Sequence, residues 1–536
     1  MMNWRDLEYA LEPLNKLGLS HSLLRTHSTL TKRFSDLEEI DDNIKNYTLE
    51  EQDIKGEVLL PFMHSQGLTD HLYGFIGHAL RTRGYRPLLI SCRGSLSLCL
   101  RKQDHPDTDG TCVNCRYKSD TILDSYGFRH IYLNNYTDDV GSISLPENPN
   151  DLWSMSYQGV NISNFAIATT RRHLRKYHID LSDENDRNTF ERFLVSAIYL
   201  VNFTHEIINK RDVIAVIGNH PPYIYSGVIL EAAANKCVPA ISYGGGYLRE
   251  DAIIFGNMKN RKGFELFSDE QTLNEQLADP LSPEQRELIQ FYMKGRRDGS
   301  TIRDMNHYIK SAEKRLDFET SSQIVCMFTN LIWDGSLSDS AITFDTPFKW
   351  VKDTIQFMHG LDDVQLILKP HPAEAHRETK VRMAEWARSE IDIPDNVLIL
   401  EADTDINPYE LMQQIDAGIV FNSTVGMEAV YEGVPVITVG DTHYRNMGFT
   451  HDPQSPQEYF KIIKQISDLT LSEEQKRLAE RYAYFLLVER HISIEELDSI
   501  TEIHKLDHEI IAESEILDTI INQILSNERS PRISRR

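Results

Sequence analysis

The chain has 536 residues, of which 40% are hydrophobic and 26% are charged, and its formal net charge is −25 at pH 7. This length exceeds one ordinary domain, so we expect two domains with helical extensions. Because an acidic surface repels phosphate backbones, the charge excludes a general nucleic-acid-binding protein, although it remains compatible with a local nucleotide site.

The N-terminal residues and the cysteines bear on the cellular compartment. The N-terminus lacks the apolar core of a signal peptide, and no apolar run approaches the ~20 residues that span a bilayer. We therefore expect a cytoplasmic protein, in which the six cysteines act as thiols or metal ligands rather than in disulfides.

Residues 1–55 are predicted to form a helical extension, because their leucines recur at helical spacing. A first α/β domain is predicted over 56–255, since a strand, a helix and a second strand follow one another within ~35 residues, which is typical of a parallel sheet. Its predicted strands lie at 57–63, 85–91, 213–218 and 238–242.

Four cysteines of this domain have a spacing that favours a metal site. Cys92, Cys99, Cys112 and Cys115 form the pattern C-x6-C-x12-C-x2-C. Four thiolates in a tetrahedral array suit zinc or an iron–sulfur cluster. The alternative is four unrelated thiols. A redox pair is less favoured, because such a pair normally opens a helix after a strand and a Gly-Thr turn is predicted before Cys112.

A second α/β domain is predicted over 321–455, after a helical connection at 256–320. Strands and helices alternate through it, as in a doubly wound, Rossmann-like domain. The first strand is not followed by G-x-G-x-x-G, so dinucleotide binding is unsupported. Residues 456–536 are predicted to form C-terminal helices and a disordered tail. The predicted strands of this domain lie at 323–329, 364–368, 397–400, 417–421 and 435–438.

The polar turn Asn422-Ser-Thr424 follows a buried strand at once and precedes a short helix. Backbone N–H groups and hydroxyls at a helix start suit a phosphate. Gly426 would allow a ligand to approach the backbone closely, and Glu428 lies about one helical turn beyond Thr424. The turn therefore predicts a site for the phosphate end of an activated sugar. The alternative is an ordinary βαβ crossover.

Five motifs of the second domain, taken together, resemble one family. This family comprises the GT-B glycosyltransferases of capsule and surface-polysaccharide biosynthesis, including relatives that transfer Kdo or sialic acid. The motifs are Trp333-Asp-Gly335, Lys369-Pro-His-Pro-Ala-Glu374, Asn422-Ser-Thr-Val-Gly-Met-Glu428, Gly433-Val-Pro-Val436 and the segment from Gly440 to Thr450. The resemblance implies an α/β, GT-B-like fold, with two Rossmann-like domains facing a cleft and helical extensions at both ends.

The resemblance also implies a donor site in the second domain. His371 would contact the donor phosphate, Ser423 and Thr424 would bind phosphate, and Glu428 would hydrogen-bond the ribose or the sugar. Lys369 and His371 could offset the charge of a leaving nucleotide, whereas the alternatives are a surface lysine and a turn histidine. The predicted donor-binding residues are Trp333, Asp334, Lys369, His371, Glu374, Asn422, Ser423, Thr424, Gly426 and Glu428.

The catalytic base should come from the first domain, across the cleft, because inverting transfer needs a group that takes the proton of the acceptor hydroxyl. His220, Glu250 and Asp251 are candidates by position, since each follows a predicted strand of that domain. In many relatives a glutamate stands directly after the strand predicted at 238–242, where this chain has Tyr243-Gly-Gly.

The resulting hypothesis is a glycosyltransferase that moves a sugar from a nucleotide-sugar donor to a surface polysaccharide or lipid-linked glycan. No cofactor is expected for the transfer itself, and an acceptor linked to lipid would also allow peripheral membrane association. The alternatives are a sugar-nucleotide 2-epimerase of the same fold, a polyol-phosphate transferase and a non-catalytic assembly protein.

Overall fold

A computed structural model of the protein describes residues 9–11, 13–15, 19–31, 35–63, 70–102, 109–136, 145–245, 253–257, 277–300, 316, 323–337, 340–489 and 500–525. Within these ranges, no helix combines the length and the apolar character needed to cross a membrane.

The first sheet is built from apolar strands that helices cover on both faces. Its strands are β1 (Glu57–Leu60), β2 (Arg86–Ser91), β3 (His130–Tyr132), β4 (Val213–Asn219), β5 (Ala240–Gly245) and β6 (Ile253–Asn257). Their order in the sheet is β3-β2-β1-β4-β5-β6. β1 to β5 are parallel, and β6 is antiparallel to β5. All four residues of β1 are buried, as expected for a parallel strand covered on both faces.

Helices precede this sheet and connect its strands. Two lie in the N-terminal extension, and five follow β1, β2, β3 and β4. They are α1 (Ser20–Thr31), α2 (Asp42–Lys45), α3 (Asp70–Thr82), α4 (Asp109–Ser125), α5 (Ile162–Leu174), α6 (Glu184–Lys210) and α7 (Ile224–Asn235).

The second sheet is fully parallel among the described residues. Its strands are β7 (Gln323–Phe328), β8 (Val364–Lys369), β9 (Val397–Ile399), β10 (Ala417–Val420) and β11 (Val436–Thr438). Their order is β11-β10-β7-β8-β9, so β10, β7 and β8 are neighbours. The helices are α8 (Pro283–Asp298) before β7, then α9 (Pro347–Met358), α10 (Ala373–His376), α11 (Met383–Glu390), α12 (Pro408–Met412) and α13 (Val425–Tyr431).

The C-terminal helices return to the first domain. After β11 come α14 (Pro456–Lys464), α15 (Glu473–Tyr484), α16 (His508–Glu513) and α17 (Glu515–Leu525). Arg83, just after α3, donates to Asp518 on α17 over 2.6 Å, and the His508 backbone N–H donates to Asp41 over 2.7 Å. Helices α16 and α17 are therefore bound to the N-terminal extension and to the first domain.

This architecture confirms the predicted α/β fold with two Rossmann-like domains and helices at both ends. Two short strands, β3 and β6, were not predicted. The pattern of residues 376–390 predicts a single helix, which is wrong, because Glu378 has a φ of +50° and the chain leaves the helix between α10 and α11. The domain boundaries themselves stay predictions.

Candidate functional site

Three loops of the second domain meet at one edge of its sheet. They follow β7, β8 and β10, and the carboxyl ends of neighbouring parallel strands form a ligand-binding edge in α/β proteins. The Asn422 backbone N–H donates to the Asn330 side chain over 3.2 Å, and the Asn422 side chain donates to the Ser336 carbonyl over 2.7 Å. Asn422 therefore joins the loop after β10 to the loop after β7 through hydrogen bonds.

The turn after β10 presents two hydroxyls at the start of α13. Ser423 and Thr424 are half-buried, and Ser423 Oγ accepts from the Val425 backbone N–H over 3.3 Å. Gly426 is buried, and a Cβ atom there would lie 2.2 Å from the Tyr444 hydroxyl. The glycine is thus needed for packing against Tyr444, a role that the sequence did not indicate.

The carboxylate of Glu428 is engaged inside the protein. It forms an ion pair with Arg296 of α8, and both side chains are 5% exposed. Its second oxygen accepts from the Tyr409 hydroxyl over 2.6 Å. Burial opposes the charge of Arg296, but Glu428 outweighs this effect and holds the pKa of Arg296 above its usual value. Glu428 therefore joins α8 to α13, and its predicted contact with a ribose stays a prediction.

Lys369 and His371 lie at the end of β8, which β7 separates from β10 and its turn. The Lys369 side chain is buried and its Nζ lies 3.3 Å from the Pro370 carbonyl. His371 Nδ1 accepts from the Ala373 backbone N–H over 3.1 Å, so the proton of the neutral ring lies on Nε2. Burial, with Lys369 acting in the same direction, lowers the pKa of His371 to about 4. At neutral pH the site thus has a neutral imidazole N–H donor.

Glu374 is fully buried and lies in α10, on the chain that leads to α11. One of its oxygens accepts from the backbone N–H of Met383, the first residue of α11, over 3.0 Å. Burial raises the pKa of Glu374 to about 7, against the effect of that hydrogen bond. Its carboxyl group therefore titrates near neutral pH. Its contact in the structure is with α11.

The Trp333-Asp-Gly335 segment forms one of the contacts between the two domains. The Trp333 indole N–H donates to Thr379 over 3.0 Å within the second domain. The Gly335 backbone N–H donates to the Tyr223 hydroxyl of the first domain over 3.1 Å. Arg172 on α5 donates to the same hydroxyl over 3.1 Å, and its guanidinium lies 5.8 Å from the Trp333 ring centre.

His220 is the candidate base that the described residues include. It follows β4 with a φ of +47°, which is uncommon for a residue with a side chain. Solvent reaches the ring, yet burial first, and the charge of Arg172 second, lower the pKa of His220 to about 4. Glu250 and Asp251 lie outside the described residues.

The four cysteines of the predicted metal site line one cavity near the carboxyl ends of β1 and β2. The structure shows no disulfide between them. Burial raises the pKa of the Cys92 and Cys99 thiols, which disfavours the thiolate form that binds metals. Across the described ranges, no three His, Cys, Asp or Glu residues are arranged to hold a metal ion.

The zinc or iron–sulfur cluster expected at Cys92, Cys99, Cys112 and Cys115 is therefore unsupported. The spacing brings the thiols to one cavity without placing them as a set of ligands. The turn expected before Cys112 is also wrong, because α4 begins at Asp109 and includes Cys112 and Cys115 in its first two turns.

The arrangement brings groups of both domains to one cleft. From the second domain come the cation of Lys369 and the imidazole of His371, and from the first come His220 and Arg172. Asp334 influences the pKa of both histidines, so it lies within electrostatic reach of each. Arg172 and Tyr223 were missed, because a helical arginine and a tyrosine after a turn carry no motif. The Pro221-Pro222 turn directly before Tyr223 is the sequence feature that could have pointed to these two residues.

Part of the chain is similar to a known protein family. Residues 282–485 match the family model described as capsule polysaccharide biosynthesis protein. This segment contains α8, the whole second sheet and α15. No curated protein matches the chain.

The solved structures that match this chain include transferases and an epimerase. Two are from KpsC of Thermosulfurimonas dismutans. The β-Kdo 2,4-transferase has 15% identity, a TM-score of 0.33, and coverage of 50% of this chain and 79% of that chain. The β-Kdo 2,7-transferase has 17% identity, a TM-score of 0.32, and coverage of 55% and 86%. The UDP-GlcNAc 2-epimerase of Methanocaldococcus jannaschii has 9% identity, a TM-score of 0.26, and coverage of 80% and 97%.

Residues 282–485, which carry all the donor-side motifs, are therefore similar to capsule polysaccharide biosynthesis proteins, as the motifs predict.

Proposed function

We propose that the protein is a glycosyltransferase that moves a sugar from a nucleotide-sugar donor to a surface polysaccharide or lipid-linked glycan in the cytoplasm. The observation that carries this proposal is the meeting of three strand-end loops of the second domain opposite His220 and Arg172 of the first. A donor held by one domain would then face an acceptor held by the other.

The donor side supplies groups that suit a nucleotide phosphate. Lys369 provides a positive charge, His371 Nε2 provides a neutral N–H donor, and the Ser423 and Thr424 hydroxyls follow β10, which β7 separates from β8. Negative charge develops on the leaving nucleotide during glycosyl transfer, and fixed donors aimed at it lower the barrier. We assign these four residues, with Asp334 and Asn422 shaping the loops, to the donor site.

The acceptor side supplies a group that can take a proton. His220 is neutral at pH 7, because burial and Arg172 lower its pKa to about 4, and a neutral imidazole can accept the proton of an acceptor hydroxyl. Its strained backbone is typical of a functional position. We assign His220 as the base, and Glu250 and Asp251, which lie outside the described residues, remain the alternatives.

The proposal is tested by incubating the protein with CMP-, UDP- and GDP-linked sugars, with and without extracted capsular polysaccharide. We expect release of the nucleotide and incorporation of the sugar with one donor class, and only when the acceptor is present. His220→Ala should lower kcat by a factor of about 100 or more, since a general base contributes roughly that much.

A matched control is His359→Ala, which removes a half-exposed histidine just after α9 and should leave the rate unchanged. Conversion of the donor sugar to its epimer without any acceptor would instead show an epimerase. Failure of the wild type to bind or convert any of the three donor classes would refute the proposal.

A further inference from the structure

Arg172 is a first-domain cation that reaches the donor side of the cleft. It lies near the end of α5 and points between two aromatic rings, 5.1 Å from the Tyr223 ring centre and 5.8 Å from that of Trp333. Its guanidinium donates to the Tyr223 hydroxyl over 3.1 Å. Contacts with both rings and with the hydroxyl restrict its rotamers, so the charge is held in one place.

Tyr223 joins this cation to the second domain. Its hydroxyl accepts from Arg172 and from the Gly335 backbone N–H, each over 3.1 Å. A Cβ atom at position 335 would lie 3.0 Å from the Tyr223 ring and 2.8 Å from Pro222, so the glycine permits this close approach. One phenol therefore sets both the position of Arg172 and the contact of the Trp333-Asp-Gly335 loop with the first domain.

The charges around the cleft indicate what Arg172 would bind. His220 is influenced by Arg172, His371 is influenced by Lys369, and both are influenced by Asp334. The Arg172 guanidinium lies 5.8 Å from the Trp333 ring centre, so a cation of the first domain faces the second-domain loop that carries Asp334. A planar guanidinium fork matches two oxygens of one phosphate, and a lysine adds a point charge. This combination suits the phosphate groups of a nucleotide.

We propose that Arg172 binds the donor phosphates from the first domain, opposite Lys369, and that Tyr223 is the positioning residue that holds it there. This inference rests on the proposed glycosyl transfer and deepens it, because the donor site becomes complete only when the two domains are in contact. It also assigns the Trp333-Asp-Gly335 loop a role in joining the domains, in addition to any contact with the donor.

The test is titration of CMP, UDP and GDP into the folded protein by calorimetry, followed by steady-state kinetics with the matching sugar donor. We expect Arg172→Gln to weaken nucleotide binding by about 10- to 100-fold, the range for loss of a hydrogen bond to a charged group. Arg172→Lys should recover part of this loss. Tyr223→Phe should lower kcat while changing the donor KM less, because the cation remains but is no longer fixed.

Arg175→Gln is the matched control. Arg175, just after the same helix, also bridges the domains, through an ion pair with Glu378 over 2.7 Å, but Glu378 is 89% exposed. Its loss should leave nucleotide affinity within about twofold, as expected for a surface pair. A purely structural role of Arg172 would instead lower the melting temperature of Arg172→Gln without a change in its nucleotide affinity.

The outcomes separate this inference from the function on which it rests. If the wild type binds a nucleotide and Arg172→Gln binds it as well as Arg175→Gln does, the role of Arg172 is wrong and the transferase proposal stands. If the wild type binds none of the three nucleotides, both proposals are wrong.

Discussion

Replacement of Arg296 by methionine tests whether Glu428 is a structural anchor. In the structure, Glu428 and Arg296 are each 5% exposed and form an ion pair, and Tyr409 donates to the same carboxylate. Arg296→Met would leave that carboxylate buried with only the tyrosine hydroxyl as partner. Because an uncompensated buried charge is costly, we expect a loss of about 3–5 kcal/mol in the free energy of unfolding of the second domain.

The next residue of the same helix is an internal control. Arg297 forms an ion pair with Glu432, but the Arg297 side chain is 46% exposed. A pair that solvent screens contributes less than about 1 kcal/mol, so Arg297→Met should cost little. The two variants remove the same type of side chain from neighbouring positions, and only the burial of the ion pair differs.

The assay is urea unfolding at pH 7, followed by tryptophan fluorescence, since Trp333, Trp350 and Trp386 lie in the second domain. We expect a lower transition midpoint for Arg296→Met and nearly the wild-type midpoint for Arg297→Met. The double variant Arg296→Met/Glu428→Leu should recover much of the loss, because it leaves no buried charge. Equal midpoints for the two single variants would refute the structural reading of Glu428.

Two further predictions concern stability. Burial raises the pKa of Glu374 from 4.5 to about 7, so its contribution to stability is fully present below pH ~4.5 and is lost as pH rises through ~7. Glu374→Gln should remove this dependence, worth at most about 3 kcal/mol. The same pH dependence of the free energy of unfolding in the wild type and in Glu374→Gln between pH 5 and 8 would contradict this prediction. Gly335→Ala should lower the melting temperature by forcing Tyr223 away, whereas Gly360→Ala, whose nearest contact is 3.8 Å away, should not. Equal melting temperatures would show that the domain contact is loose.

The second-domain loops could be predicted because buried parallel strands are short apolar runs followed directly by polar residues. Lys369 after β8 and Asn422 after β10 have this pattern, and hydrogen bonds now join the loops after β7 and β10. Sequence position thus indicated which side chains share an edge of the sheet. It also indicated His220, which follows a strand of the other domain in the same way.

The partners of these residues could not be predicted. Glu428 meets Arg296, which is 132 residues earlier in the chain, and no periodicity relates a helix before the sheet to a helix inside it. Arg172 and Tyr223 belong to the first domain and approach Gly335 only after both domains have folded. Long-range contacts of this kind depend on how helices pack on the sheets.

The metal site predicted at the cysteines also depended on contacts that the sequence does not reveal. Cys92, Cys99, Cys112 and Cys115 line one cavity, but the metal cluster that their spacing predicts is unsupported among the described residues. The spacing could not indicate the geometry, because the directions of the Cys112 and Cys115 thiols depend on the helix that begins at Asp109. The arrangement of the thiols as ligands was therefore not predictable.

The central claim is that the loops after β8 and β10 bind the nucleotide of the donor. It is tested most directly by the thermal shift that CMP-, UDP- and GDP-linked sugars give with the wild type, with the double variant Lys369→Ala/His371→Ala and with Lys349→Ala, which removes a half-exposed lysine of α9. A ligand at ~100 times its Kd stabilises the folded state by ~2.7 kcal/mol. We predict that one donor class raises the melting temperature of the wild type and of Lys349→Ala but not of the double variant. An equal shift in all three proteins would contradict the claim.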